Sequence, residues 1–353
     1  MKRKVLVAVI YVLFLVALFE GGARFALSYL HESNQLWEHD YGWRQFWIKR
    51  HQSTGIDVFY KFDDYDSTKG WISKPNLRDM RVFDDKVLNT NSRGFRGTRE
   101  HAYEVDDDVT RIVLLGDSFT FGDEVSDDEV YARYLQDMLP GAEIINLGVH
   151  GYGHDQMLVL LEEEGIRYSP DIVIVGFLPM DMLRNMLAFR DFAKPVYRLD
   201  GELVLDNVPV PTPEEVLKYD WLRPRVIDLF SVLHHFTRKK LGLYERDMEH
   251  KTAALLERMV EVSIEAGAAP VIVFLPAESD ITADPEPRPG ELFLFAACAE
   301  IDNVTCFSAR PWFAEKLSRG VVLKLTDHWD AAGHQTVAES IRDYLLENEY
   351  LEQ

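Results

Sequence analysis

Beyond a charge-free run near its N-terminus, this 353-residue chain places its apolar positions in two alternating periods. Residues 112–115, 143–147, 171–177 and 270–275 are short apolar runs rich in Ile and Val, and 303–307 reads as a fifth strand. Runs without polar alternation predict strands buried on both faces, and hence a parallel sheet. Helical spacing fills the gaps between them. A helix is expected over 126–138, opened by the capping box Ser126 and Glu129. Others are expected over 154–168 and over 252–266, where Gly267 stops the last. Asp330 caps a final helix whose inner face carries Val337, Ala338, Ile341, Tyr344 and Leu345. Such alternation predicts an α/β fold, a three-layer sandwich around about five parallel strands.

Two stretches depart from this pattern. Residues 31–107 mix aromatic and charged positions, with turn signals at Thr68-Lys69-Gly70, Pro75-Asn76 and Asn91-Ser92-Arg93-Gly94. They read as a short juxtamembrane helix followed by irregular β structure, joined to the main domain (108–353) by the acidic connector Asp106-Asp107-Asp108. Residues 185–250 read as an insertion. It holds a hairpin turning at Asp200-Gly201, a proline-stiffened loop over 209–213 and a helix over 221–241. It fits a lid or substrate wall and a packing decoration equally well.

The N-terminus changes the picture most. Lys2, Arg3 and Lys4 precede fifteen residues, Val5 to Phe19, without a charge. As a helix these rise about 22 Å, short of the roughly 30 Å of bilayer hydrocarbon. Continuing to residue 30 supplies the length, with Glu20 and Arg24 four apart on one face and able to pair. The expected element is a single-pass anchor over residues 1–30, making the lipid bilayer a partner. A cleaved signal peptide is the rival, and no clean Ala-x-Ala site follows. Basic residues ahead of the span place the N-terminus in the cytoplasm and the main domain in the periplasm or outside. With 38 basic against 59 acidic residues the net charge is −21, which argues against a nucleic-acid partner. Cys298 and Cys306 have no metal-binding spacing; they could pair in an oxidising compartment, but their separation alone does not place them opposite each other, and they read as two ordinary buried thiols.

Chemistry is suggested at the strand ends. The first strand runs into Gly116-Asp117-Ser118, placing a serine where α/β sheets hold ligands. The second ends in Gly148-Val149-His150-Gly151, and Ser118 and Gly151 are candidate N–H donors to an oxyanion. His150 and His154 read as loop and helix-start polar residues. His328, just before the last helix, is the candidate base, with Asp327 as its orienting acid. His334 falls inside the helix and reads as structural.

These three blocks, in this order, resemble the SGNH (GDSL-type) hydrolase superfamily over about residues 108–350. The segment Asn91 to Gly97 resembles membrane-anchored bacterial members. The resemblance implies a flavodoxin-like sheet, a Ser-His-Asp triad for acyl esters, and no metal or organic cofactor. It departs from the family twice. Met180 stands where an oxyanion-binding Asn is usual, with Asn185 or a residue of the insertion as candidate substitutes. Positions 325 and 326, where the acid usually stands, are Leu and Thr, which leaves Asp327 or a Ser-His dyad. The expected function is a serine ester hydrolase, with deacetylation of cell-envelope glycans as its substrate reading. O-acyl transfer to a surface polysaccharide is the close alternative, motivated by the adjacent His328 and Trp329. A non-catalytic glycan- or partner-binding domain is the alternative from another class.

Overall fold

A computed structural model describes residues 2–104, 109–281, 286–324 and 327–351, so the connector Asp106–Asp108 lies outside the described residues. Helix α1 (Lys2–Glu32) is the long N-terminal element and α2 (Asp40–Thr54) follows it. The central sheet is built from β1 (Thr110–Leu115), β2 (Ala142–Asn146), β3 (Ile172–Phe177), β4 (Ala269–Phe274) and β5 (Thr305–Ser308). Its order is β2-β1-β3-β4-β5 with every pairing parallel, the flavodoxin-like arrangement.

Alternate residues of each strand feed two cores, which explains why the apolar runs show no regular polar alternation. Val113, Ile145, Val173 and Ile272 face α5 (His154–Glu163) and α9 (Leu243–Glu265), meeting Leu158, Leu161, Leu256 and Met259. Ile112, Leu114, Ile174 and Val273 face α4 (Tyr131–Met138) and α12 (Ala331–Glu347), meeting Leu135, Val337 and Ile341. Residues 33–104 do not stand apart from this domain. Trp47, Trp71 and Phe95 are buried in the first of those cores, and the segment forms two short hairpins (Asp63–Asp66 with Gly70–Ser73, Met80–Val82 with Lys86–Leu88).

Several expected helices are subdivided. The capping box of Ser126 and Glu129 closes a single 3-10 turn, and α4 starts only after the extended Val130. The helix expected over 221–241 is two, α7 (Pro213–Leu222) and α8 (Arg225–Lys240), because the residue before Pro224 is pushed out of helical conformation. Helix α9 begins nine residues ahead of the expected Thr252, straight after Gly242 at φ +66°. The reading of Cys298 and Cys306 as thiols is corrected. They form a disulfide, because the turn from α10 (Pro289–Glu300) into β5 brings their Cα atoms to 6.5 Å.

Candidate active site

Strand β1 ends at Leu115, and the chain turns through Gly116 and Asp117 into the one-turn helix α3 (Ser118–Phe121). Asp117 caps it by accepting the Phe119 N–H at 3.0 Å. The turn tolerates no side chain at Gly116, where a Cβ would stand 1.9 Å from Thr120 Oγ1. Ser118 thereby sits buried at the rim of the sheet beside the β1/β3 switch point.

His328 reaches the same rim from the loop before α12. That loop is held at both sides: Trp329, buried against Phe119 and Phe313, donates its indole N–H to the Pro276 carbonyl at 2.9 Å, and Asp330 caps α12 through the Gly333 N–H at 2.9 Å. His328 Nε2 lies 2.8 Å from Ser118 Oγ. Its other ring nitrogen, Nδ1, lies 3.2 Å from Glu124 Oε1. Asp327 is exposed, and among the described residues no hydrogen bond or ion pair joins it to His328. The expected pairing with Asp327 is therefore corrected to Glu124. Neighbouring side chains diverge along the chain, whereas Glu124, at φ +65° in the turn after α3, is folded back to the rim.

The second block lies alongside, since the Val149 N–H donates to the Gly116 carbonyl at 3.1 Å. Gly151 adopts φ +76° beneath Phe59 and Trp71. Among the described residues, neither the Ser118 nor the Gly151 N–H meets a protein acceptor, the condition an oxyanion donor requires.

The segment after β3 holds a residue that the sequence reasoning missed. Arg184, on the short α6 (Asp181–Arg184), is buried and its Nη1 reaches Asp117 Oδ2 at 2.8 Å, the Tyr152 carbonyl at 2.9 Å and Asp181 Oδ1 at 2.5 Å. It thus ties together the loops that follow β1, β2 and β3. Its Nη2 lies 3.7 Å from the sulfur of Met180, the residue in the usual Asn position. Asn185 is not a substitute for that Asn: it is fully buried, its amide bonded to His154 and Thr252. Burial and the Asp117 charge push Asp181 well above the usual carboxylate range, against the pull of Arg184.

The histidines separate by environment. Burial holds His154 down at about 4 and His334 at about 3, so both are neutral; His334 Nδ1 accepts the Tyr131 N–H. His150 is not a simple loop residue. Its Nε2 meets Asp63 Oδ2 at 2.7 Å inside a cage of Phe59, Tyr60, Phe62 and Phe121. Burial opposes its charge, yet Asp63 more than compensates and its pKa is raised. Behind it Asp123, 3.9 Å from His150 Nδ1, is driven up to about 6 by burial, which the charges of His150 and His328 only partly offset. Among the described residues no group of three or more His, Cys, Asp or Glu could hold a metal ion.

The chain is similar to G-D-S-L lipolytic proteins and esterases of known structure. One is a member of the lipolytic G-D-S-L family from Veillonella parvula (13% identity, TM-score 0.40, covering 66% of this chain and 97% of that one). Another is an acetylxylan esterase from Geobacillus stearothermophilus (17%, 0.40, 67% and 92%). A third is a psychrotrophic esterase from a Pseudoalteromonas species (15%, 0.38, 67% and 98%). No family model and no curated protein matches the chain.

Proposed function

We propose that this protein is a serine ester hydrolase using Ser118, His328 and Glu124. The 2.8 Å contact between Ser118 Oγ and His328 Nε2, with a carboxylate on Nδ1, carries the reading. Ser118 Oγ attacks the acyl carbon as His328 takes its proton. The N–H groups of Ser118 and Gly151 receive the oxyanion, and the alcohol leaves with the proton from His328. Water then attacks the acyl-enzyme with His328 as base, releasing the acid and restoring Ser118. Envelope glycans bearing acetyl esters are the proposed substrate class.

The domain is proposed to work outside the cytoplasm, tethered by α1, which is long and apolar enough to cross a membrane. Two observations support this. The Cys298–Cys306 disulfide suits an oxidising compartment. Helix α1 is also part of the domain's packing, with Ala23 and Leu27 buried, which favours an anchor over a removed signal.

A fluorophosphonate probe tests the chemistry. Labelling of the intact chain that disappears in Ser118→Ala and falls sharply in His328→Ala is the expected result. A folded protein that takes no label would replace the hydrolase with a binding role.

A further inference from the structure

Helix α8 lies lengthwise along the second half of α1. Leu27 and Leu36 bury against Val232, with Leu30, Leu229 and Phe236 around them. The two helices run in the same direction, because Glu20 meets the start of α8 while Glu38 meets Lys239 near its end. The corner between α7 and α8 is therefore level with Glu20, where the charge-free run of α1 finishes. Fifteen residues rise only about 22 Å, so roughly 30 Å of hydrocarbon extends about five residues beyond Phe19, past Glu20. A corner at that level lies inside the outer edge of the bilayer that α1 crosses.

Its composition fits that position. Trp221 is 81% exposed and Phe230 70%, and Leu222 and Ile227 are exposed beside them. Large apolar side chains gathered this way mark a membrane or protein contact. The charges around them are matched internally. Arg225 binds Asp220 at 2.6 Å and Asp228 at 3.1 Å, and Arg223 binds Asp228 at 2.7 Å. Glu20 itself is not left bare at that depth. It accepts the N–H groups of Arg225 at 3.1 Å and Val226 at 3.3 Å at the start of α8, and pairs with Arg24 at 2.7 Å.

We propose that the α7–α8 corner is a second membrane contact, in which Trp221, Leu222 and Phe230 enter the outer leaflet beside α1. The inference rests on reading α1 as a membrane span. Two contacts side by side would fix the tilt and height of the domain over the surface, as a single tether would not.

Nitroxide labels on the full chain in phosphatidylcholine liposomes test this. The sites are Trp221→Cys and Phe230→Cys, with Phe14→Cys on α1 and Val322→Cys on an exposed loop as references; the native cysteines are paired. All four side chains are exposed, so the fold should tolerate each change. The expected result is an oxygen-to-nickel-chelate accessibility ratio at 221 and 230 several-fold above that at 322 and approaching that at 14. A lipid-like value at 14 with water-like values at 221 and 230 would overturn the corner contact and leave the span intact. Water-like values at all four sites would overturn both. Labels at 221 and 230 shielded from both reagents would mean that protein, not lipid, covers the corner.

Discussion

Glu124 Oε1 lies 3.2 Å from His328 Nδ1 although 204 residues of chain separate them. A carboxylate there fixes which ring nitrogen carries the proton and leaves Nε2 free to accept one from Ser118. Replacing Glu124 by Gln should lower kcat/KM for an activated acetate ester by about 10²- to 10⁴-fold, the range for losing a triad acid. Asp327→Asn should change it little. Steady-state kinetics on the two variants decide between the carboxylates, and a larger loss at 327 would reverse the assignment.

Asp123 makes stability depend on pH. Its carboxyl goes from 3.8 when unfolded to about 6 when folded, so the folded state binds the extra proton between those values. Stability from this group is thus fully present below 3.8 and lost as pH rises through 6, on the order of 3 kcal/mol in all. Asp123→Asn should remove that component and gain on the wild type most above pH 6. Denaturant unfolding at pH 4 and pH 8 measures it, and an unchanged difference between the two pH values would refute it.

Arg184 holds two buried carboxylates and a carbonyl with one nitrogen. Arg184→Met should cost about 3–5 kcal/mol, because Asp117 and Asp181 are left without their cation. Arg184→Lys should recover only part, since an ammonium lacks the planar fork. Urea unfolding reads the loss, and full recovery with Lys would show that charge alone matters.

The disulfide closes a short loop between Cys298 and Cys306, eight residues apart. Chain entropy assigns it about 2.5 kcal/mol. Replacing both cysteines by Ser should lower the melting temperature by the corresponding few degrees, while Ser118 keeps its reactivity to the fluorophosphonate. Calorimetry with and without reductant checks the first point.

The sheet is legible in the sequence because both of its faces are covered, which leaves Ile and Val runs such as 172–175 no polar alternation. Ser118 and His328 are legible as a pair because each stands at a place where the chain enters a helix at one rim of that sheet. Glu124 is not, since its approach to His328 depends on a left-handed turn set by tertiary packing rather than by spacing. The only local signal is a pair of acidic residues, Asp123 and Glu124, directly after Gly122. Arg184 is hidden for a related reason: a lone arginine four residues after Met180 reads as surface charge until the fold surrounds it with Asp117 and Tyr152. Pro224 does announce the break between α7 and α8, whereas nothing in a spacing of eight tells whether two cysteines face each other.

Burial of Trp47 and Trp71 under the same face as α5 has a practical side. The α/β unit alone, taken from residue 109 onward, would leave that face without two of its largest side chains and would strip His150 of Asp63. A fragment prepared for crystallisation or assay should therefore start at about Glu20, giving up only the charge-free half of α1 for solubility and keeping Leu27 and Leu36 packed on α8.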